Sequence, residues 1–205
     1  MKSFFITMEG GDGSGKSLQA KALYEALREK GAPVILAREP GGTGISEKIR
    51  EIIIDKENKT MSAVTETFLY AAARAQIVAE LIRPALLDGK IVICDRFLDS
   101  SIAYQGAARG LGAETVDIIN SYATGGLMPD ITFFFDVDPA VALRRKSGGA
   151  LDRLESEHMD FHKKVYKGYC ELAQKNAERI IAVDGTLAPE EISRIVLEKV
   201  TGCLS

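Results

Sequence analysis

The chain contains 205 residues, of which 46% are apolar and 27% charged, and it carries a formal net charge of −3. This length and composition fit an ordinary globular protein of one domain with a sizeable core. Because the net charge is slightly negative, bulk attraction to nucleic acid or to a membrane surface is not expected, and a phosphate ligand has to meet local clusters of Lys and Arg.

Strand-like and helix-like segments alternate along the chain. Short, continuous apolar runs predict buried strands over Phe4–Met8, Val34–Ala37, Ile91–Cys94, Ile131–Val137 and Ile180–Val183. Amphipathic runs predict helices over Ser17–Lys30, Ile45–Ile54, Val64–Leu87, Ser100–Arg109, Ala113–Ala123, Pro139–Lys146, Glu155–Asn176 and Pro189–Val200. This alternation predicts an α/β fold of three layers, αβα, in which a five-stranded parallel sheet carries helices on both faces. Pro84 is expected to bend its helix near the end.

Neither a repeat nor an interdomain linker interrupts this pattern, so residues 1–205 are expected to form a single domain. The main irregular stretch is Ser147-Gly148-Gly149-Ala150, which lies between two predicted helices and beside basic residues. A short segment of this kind suits a mobile lid over about residues 144–154.

The cysteines and the start of the chain give no sign of export. Cys94, Cys170 and Cys203 are widely spaced and form no C-x-x-C pair, so neither a disulfide framework nor a Cys₄ zinc site is expected. The sequence enters a strand at once without a signal-peptide pattern, and no apolar run approaches the length of a membrane span. We therefore expect a cytoplasmic protein that binds neither membranes nor nucleic acid.

The segment Gly10-Gly11-Asp12-Gly13-Ser14-Gly15-Lys16-Ser17 fits the phosphate-binding pattern G-x-x-x-x-G-K-[ST] and lies between a predicted strand and a predicted helix. Glycines let the backbone turn tightly and aim several N–H groups at one point, where the N-terminus of the helix adds partial positive charge. Lys16 can reach the terminal phosphates of a nucleoside triphosphate, and the Ser17 hydroxyl can hold Mg²⁺. A chance Gly-rich turn is the alternative, which the correct flanks disfavour.

Two further loops follow predicted strands, at the edge of a doubly wound sheet where ligands bind. After the third strand, Asp95 can hold Mg²⁺ or its water as a Walker-B Asp does, and Arg96 can clamp a phosphate in the same crevice. After the second strand, the turn Glu39-Pro40-Gly41-Gly42 can fix the position of Arg38. The alternatives are a surface ion pair in the first loop and an ordinary charged turn in the second.

The helical arginines are less specific signals. Arg50 alone suggests a solvated helix face. Arg74 follows Tyr70 by four residues, so ring and guanidinium share a face and can either grip a planar base or pack against each other. The cations Arg144-Arg145-Lys146 and Arg153 flank the predicted lid, where they can meet a transferring phosphoryl group or simply end a helix.

His158 and His162 are four residues apart on a predicted helix, which is a spacing that metal-binding histidines use. The H-E-x-x-H arrangement is absent and no third ligand suggests itself, so we expect both to be structural or exposed.

Four motifs resemble those of bacterial thymidylate kinases and occur in the same order. They are Glu9-Gly10-Gly11-Asp12-Gly13-Ser14-Gly15-Lys16-Ser17, Arg38-Glu39-Pro40-Gly41-Gly42-Thr43, Asp95-Arg96-Phe97-Leu98-Asp99-Ser100-Ser101-Ile102-Ala103-Tyr104-Gln105-Gly106 and Leu151-Asp152-Arg153-Leu154-Glu155. The phosphate loop alone names a superfamily, whereas the second and third motifs are far more specific. The resemblance covers essentially the whole chain. It implies a P-loop kinase fold, phosphoryl transfer from ATP to dTMP on the way to dTTP, a Mg²⁺ cofactor and a homodimer.

The resemblance also implies a role for each matched position. It makes Lys16, Arg96, Asp95, Arg153 and Asp12 the candidate catalytic residues, and Ser17 and Asp95 the metal ligands. The implied ATP-binding residues are Gly10, Gly11, Asp12, Gly13, Ser14, Gly15, Lys16, Ser17, Leu18, Arg144 and Asp184. The implied dTMP-binding residues are Asp12, Arg38, Glu39, Pro40, Arg50, Tyr70, Arg74, Arg96, Ser100, Ser101, Tyr104 and Gln105.

Within the implied acceptor site, the family places three arginines (Arg38, Arg50 and Arg96) around the phosphate. The resemblance implies that Tyr70 stacks on thymine and that Arg74 and Gln105 hydrogen-bond the base edge, with Ser101 beside them. It also implies that Asp12 approaches the 3′-hydroxyl of the deoxyribose and that Tyr104 excludes a 2′-hydroxyl. Arg144 and the loop of Asp184 belong to the donor adenine.

One departure from the wider family concerns the phosphate loop, where Gly13 stands in place of the Arg of the eukaryotic subtype. The lid cations Arg145, Lys146 and Arg153 are expected to supply that charge, as in the bacterial subtype.

Three other functions remain open at this point. Another nucleoside or nucleotide kinase would share the phosphate loop. A GTPase-type switch would carry N-K-x-D, but Asn58-Lys59 is followed by Thr60 and Met61. An ATP-driven assembly module would be expected to have a longer chain.

Overall fold

The computed structural model describes residues 3–145 and 152–204. Its sheet contains five strands: β1 (Phe4–Glu9), β2 (Val34–Arg38), β3 (Ile91–Asp95), β4 (Ile131–Asp136) and β5 (Ile180–Asp184). All neighbouring strands are parallel, and their order across the sheet is β2-β3-β1-β4-β5. The predicted α/β class and five-stranded parallel sheet are therefore confirmed, and each strand lies within one residue of its predicted bounds.

Helices cover both faces of this sheet. They are α1 (Lys16–Glu29), α2 (Gly44–Ile54), α3 (Ala63–Ile77), α4 (Arg83–Leu87), α5 (Leu98–Ser101), α6 (Ala113–Thr124), α7 (Pro139–Arg145), α8 (Met159–Lys175) and α9 (Pro189–Leu204). On β1, Ile6 and Met8 belong to a buried cluster with residues of α1 and α9, whereas Phe5 belongs to one with residues of α3 and α6. Alternate residues of the strand thus face opposite helical layers, which explains its continuous apolar sequence. Among the residues described, none of the helices combines the length and apolar composition needed to cross a membrane.

The helix predicted over Val64–Leu87 contains a wide π-helical segment, Val78–Ile82, between α3 and α4. Pro84 lacks an N–H and its ring crowds the carbonyl four residues earlier, so a widened turn just before it relieves that conflict. A second π-helical segment, Ile102–Ala108, continues α5 and carries side chains of the site.

The helix predicted over Glu155–Asn176 begins four residues later, at Met159. Asp152 and Glu155 instead close a separate turn: the Asp152 N–H donates to the Glu155 carboxylate at 3.0 Å, and the Glu155 N–H donates to the Asp152 carboxylate at 2.8 Å. This reciprocal pair is a capping box, which starts one turn of its own. Residues 146–151 of the predicted lid, including Lys146, lie outside the described residues.

Strand register brings the three predicted loops together. Met8 of β1 pairs with Asp95 of β3, and Asp95 pairs with Arg38 of β2. The chain segments after these strands therefore leave the sheet side by side, at the edge where parallel α/β proteins bind ligands.

Candidate active site

A cleft of about 410 Å³ lies beyond the carboxyl ends of β1, β2 and β3. Most of the predicted site residues line it. They are Asp12, Gly13, Gly15, Lys16, Ser17, Leu18, Arg38, Glu39, Pro40, Arg50, Tyr70, Asp95, Arg96, Ser100, Ser101, Tyr104 and Gln105. The fold thus gathers the phosphate loop and the implied acceptor residues around one space, as the sequence predicts.

The phosphate loop has the backbone that its glycines allow. Gly13 and Gly15 have φ values of 81° and 92°, in the region that favours glycine, and α1 begins directly after Gly15. Lys16 is buried, donates to the Gly11 carbonyl at 3.3 Å and lies 3.9 Å from the Asp12 carboxylate. The N-terminus of α1 and the Lys16 ammonium group both place positive charge at this end of the cleft, beside the Asp12 carboxylate.

Gly13 also meets α7 more closely than any side chain could. A Cβ at this position would overlap the Ala142 carbonyl oxygen and lie 2.7 Å from the Ala142 carbonyl carbon. Close packing of loop on helix, in addition to the positive φ, therefore requires glycine and leaves no room for the Arg of the eukaryotic subtype.

Arg96 connects the phosphate loop to the rest of the cleft. Its backbone has φ of 68°, which is unusual for a residue with a side chain. The strained conformation is held by a hydrogen bond from its N–H to the Met8 carbonyl at 3.0 Å. Its guanidinium donates to the Asp12 carboxylate at 2.7 Å, to the Gly10 carbonyl at 3.0 Å and to the Tyr104 hydroxyl at 3.3 Å. Burial alone would lower the pKa of Arg96, but Tyr104 and Asp12 raise it by more than burial lowers it. The net pKa lies well above the ordinary value, so the guanidinium stays cationic.

Glu9 lies under this arginine and was not singled out from the sequence. Its carboxyl accepts hydrogen bonds from the Phe97 N–H at 2.8 Å, the Ser100 hydroxyl at 2.5 Å and the Tyr169 hydroxyl at 2.9 Å. Burial, reinforced by the charge of Asp99, raises the pKa of Glu9 to about 7 against the lowering effect of these partners. Glu9 thus fixes the backbone that follows Arg96.

Arg38 and Arg50 converge on one carbonyl. Both donate to the Pro40 oxygen, at 2.9 and 3.1 Å, and Arg38 also donates to Glu47 at 2.6 Å. Burial, followed by the charge of Arg38, lowers the pKa of Arg50. Two like charges held together in this way form a site that an anion such as a phosphate would stabilise.

The remaining wall of the cleft contains Tyr70, Ser101, Tyr104 and Gln105, an aromatic and polar surface of the kind that holds a planar base. Tyr104 also donates its hydroxyl hydrogen to the Asp12 carboxylate at 3.1 Å. This wall is continuous with the phosphate-binding groups at Arg96.

Arg74 lies behind this wall and does not line the cleft. Its guanidinium, 1% exposed, donates to Glu39 (2.8 Å), Ser101 (3.0 Å), Asn120 (2.6 Å) and the Phe97 carbonyl (3.1 Å). That Arg74 hydrogen-bonds a base edge stays a prediction, and in this arrangement its donors are used within the protein. A contact with a base would require one of these bonds to be exchanged.

Of the three described lid cations, Arg145 lines the cleft and Arg144 and Arg153 do not. Arg153, predicted to be catalytic, is turned to the Ile53 carbonyl (2.9 Å) and the Glu66 carboxylate (2.7 Å) and does not line the cleft. Arg144 is exposed and also absent from the cleft wall, whereas Arg145 lines it and donates to the Gly185 carbonyl at 2.8 Å. Asp184, predicted near adenine, is exposed and accepts hydrogen bonds from Thr186 outside the cleft.

Comparison with known proteins decides the family. The sequence profile described as thymidylate kinase matches residues 8–196. The chain belongs to the thymidylate kinase family. Thymidylate kinase of Caldanaerobacter subterraneus subsp. tengcongensis is 49% identical over 200 residues, which cover 98% of this chain and 96% of the relative. Thymidylate kinase of Finegoldia magna is 52% identical over 191 residues, covering 92% and 93%.

A solved thymidylate kinase shares the fold. The crystal structure of thymidylate kinase from Ehrlichia chaffeensis matches with a TM-score of 0.81 and 33% identity, covering 98% of this chain and 99% of that one. The resemblance inferred from the four motifs is therefore confirmed over the whole chain.

Membership of a thymidylate kinase family implies ATP chemistry, which generally uses a divalent metal. Asp95 lines the cleft with a buried carboxylate oxygen that has no hydrogen-bond partner, and Ser17 contributes a hydroxyl to the same cleft. Among the described residues there is no group of three or more His, Cys, Asp or Glu that could hold a metal. This sparse oxygen set fits Mg²⁺, which binds through one or two protein groups together with substrate phosphates and water.

Sequence reasoning did not find three residues of this thymidylate kinase site: Glu9, Glu66 and Tyr169. The Tyr169 hydroxyl contacts Glu9, Ser100 and Arg96. A carboxyl at the end of an apolar strand was the available signal for Glu9. Glu66 gave none, since it occupies a helix position where solvated acids are common. His162 is buried and His158 is exposed.

Proposed function

We propose that this chain transfers the γ-phosphoryl group of ATP to dTMP, giving ADP and dTDP, as a step in dTTP synthesis for DNA replication. The observation that carries the proposal is the continuity of the cleft. The phosphate loop, the paired Arg38 and Arg50, and the wall of Tyr70 and Gln105 line one space, with Arg96 between them.

The acceptor needs no strong base. A phosphate monoester has a second pKa near ~6, so the dTMP phosphate is largely dianionic near neutral pH and already nucleophilic. The barrier is electrostatic, because two polyanions must meet in line while charge spreads over the moving phosphoryl oxygens. Lys16, Arg96 and the Arg38–Arg50 pair offset this repulsion with charges fixed in advance by the contacts described above.

Several of the remaining candidate residues have a proposed part. Tyr70 stacks on the base, Ser101 and Gln105 meet its edge, and Tyr104 excludes a ribose 2′-hydroxyl while holding Asp12. Asp95 and Ser17 would hold Mg²⁺, which supplies positive charge at the phosphates of ATP. Arg145 and Arg153 are described cations of the predicted lid, and turning of one of these side chains toward the phosphates is the proposed means of supplying its charge there.

We further propose a homodimer formed through α3 and α6. The outer faces of these packed helices carry apolar side chains four residues apart: Val64 and Phe68 on α3, and Ile118 and Tyr122 on α6. Phe68 is 57% exposed and Tyr122 is 87% exposed. Exposed apolar side chains on two packed helices support an interface at this face. The free cysteines and the nucleotide substrates favour the predicted cytoplasmic setting.

The test is an ADP-release assay with ATP and Mg²⁺ across dTMP, dUMP, dCMP, dAMP and dGMP. We expect dTMP to be the best acceptor and Lys16→Met to lower kcat by at least about 10²–10³-fold, since it removes a fixed charge from the phosphates. Lys21→Met is the matched control, because Lys21 lies on the exposed side of the same helix. Equal turnover of purine monophosphates, or a Lys16→Met variant as active as the control, would refute the proposal.

A further inference from the structure

Gln105 is held by a buried carboxylate. It lines the cleft beside Tyr70 and Ser101, and its side-chain nitrogen donates to Glu66 Oε1 at 2.9 Å. Gln105 and Glu66 are each 1% exposed. Glu66 precedes Tyr70 by one turn of α3, so the same helix positions the ring and the anchor of the amide.

Glu66 is ionised. Burial would raise its pKa, but the hydrogen bonds from Arg109 and Gln105 and the contact with Arg153 lower it below the usual value. Arg109 donates to both carboxylate oxygens, at 3.1 and 3.0 Å, and Arg153 lies 2.7 Å away. The charge is therefore compensated by two cations that the sequence places far from α3.

An ionised carboxylate is an acceptor only. It can pair with the NH₂ end of the Gln105 amide and not with its oxygen, so the amide cannot rotate by half a turn without losing this bond. The end of the amide away from Glu66 is then the carbonyl oxygen, an acceptor. Without Glu66, either end of a glutamine amide could face a ligand.

Pyrimidine bases differ at the atom this acceptor would meet. N3 of thymine and of uracil carries a hydrogen, whereas N3 of cytosine carries a lone pair. We propose that Glu66 is a specificity-determining positioning residue, which locks the Gln105 amide so that its oxygen accepts the N3–H of a thymine-type base and opposes the N3 lone pair of cytosine. The inference rests on the proposed function and adds to it the group that decides the polarity of the base-reading amide.

The experiment compares kcat/KM for dTMP, dUMP and dCMP in the wild type and in Glu66→Gln. A neutral amide at position 66 can accept or donate, which frees Gln105 to turn. Mispairing of one buried polar group costs ~1–3 kcal/mol, so we expect the dTMP-to-dCMP ratio to fall about 5- to 150-fold in the variant. The dTMP-to-dUMP ratio should stay unchanged because both bases carry N3–H, and a merely loosened site would not make that distinction.

Two further variants keep the test decisive. Arg109→Lys disturbs the same network and leaves the charge on Glu66, so its dTMP-to-dCMP ratio should match the wild type. Gln105→Ala should lower that ratio by itself, and adding Glu66→Gln to it should cause no further fall. The Gln105→Ala result stands even if Glu66→Gln fails to fold, and an unchanged ratio there overturns the inference.

The outcomes separate this inference from the proposed function. A wild type that does not prefer dTMP to dCMP refutes both. If the wild type prefers dTMP to dCMP and Glu66→Gln keeps that preference, only the role of Glu66 is refuted. The same holds if Glu66→Gln lowers the dTMP-to-dCMP ratio by the same factor in the wild type and in Gln105→Ala.

Discussion

Gly13→Ala tests how closely the phosphate loop packs on α7. A Cβ on Gly13 would overlap the Ala142 carbonyl oxygen, and the backbone there has φ of 81°. The left-handed conformation costs a residue with a side chain ~1–2 kcal/mol, and forced overpacking costs a further ~1–3 kcal/mol. We expect the variant to lose ~2–5 kcal/mol of unfolding free energy.

Gly31→Ala is the matched control. Gly31 ends α1 with φ of 75°, and a Cβ there would have no neighbour within 4 Å. This variant pays only for the backbone conformation. The difference between the two variants therefore measures the contact with α7, which for a chain of this size corresponds to a melting temperature lower by ~2–12 °C in Gly13→Ala.

Activity should separate the two variants more strongly than stability. The loop or α7 must move to accommodate the methyl group of Gly13→Ala, and a displacement of about 1 Å can cost ~10²-fold in rate. Calorimetry and the ADP-release assay report the two effects. If Gly13→Ala has the same melting temperature as Gly31→Ala and keeps its turnover, the close approach of the phosphate loop to α7 is not a property of the protein.

Two further predictions concern buried carboxyls. Arg74→Met should destabilise the protein by ~3–5 kcal/mol in urea unfolding, because Glu39, 2.8 Å from Arg74 with both side chains almost fully buried, loses its partner. Adding Glu39→Gln should recover part of the loss, and a double variant no more stable than Arg74→Met would contradict the pairing. Since the folded-state pKa of Glu9 is raised to about 7, its carboxyl binds a proton more tightly in the folded than in the unfolded chain. Its contribution to stability is therefore full below about pH 4.5 and is lost as pH rises towards 7, a change of ~3 kcal/mol. The free energy of unfolding, measured between pH 4.5 and 7, should depend less on pH in Glu9→Gln than in the wild type. The same dependence on pH in both proteins would show that Glu9 does not titrate in this range.

Much of the fold can be predicted from local patterns in the sequence. Each strand is a largely apolar stretch of five or six residues that ends in a charged residue, so its bounds follow closely from pattern alone. Helix α8 was misplaced because a helical pattern does not reveal that Asp152 and Glu155 bond to each other and close an earlier turn. Local propensity cannot distinguish one long helix from a turn and a helix in succession.

The site residues also fall into two groups, those that a local sequence pattern predicts and those that depend on contacts between distant parts of the chain. The phosphate loop, Asp95 and Arg96 are contiguous motifs whose chemistry follows from residue type and spacing. Glu9 meets Tyr169 across 160 residues of sequence, a contact that no single-sequence pattern encodes. The family resemblance carried Arg74 and Arg153 to the site but could not reveal that internal carboxylates hold both of them in this arrangement.

Helix α3 serves two environments at once. Glu66, Tyr70 and Arg74 face the interior or the cleft, while Val64 and Phe68 project from the opposite side. A helix is a stiff body, so a shift imposed on one side is passed to the other within the same turn. If two copies associate through that outer side, contacts with the partner restrain α3 and therefore the positions of Glu66 and Tyr70. Acceptor selectivity then becomes a property of the dimer rather than of one chain.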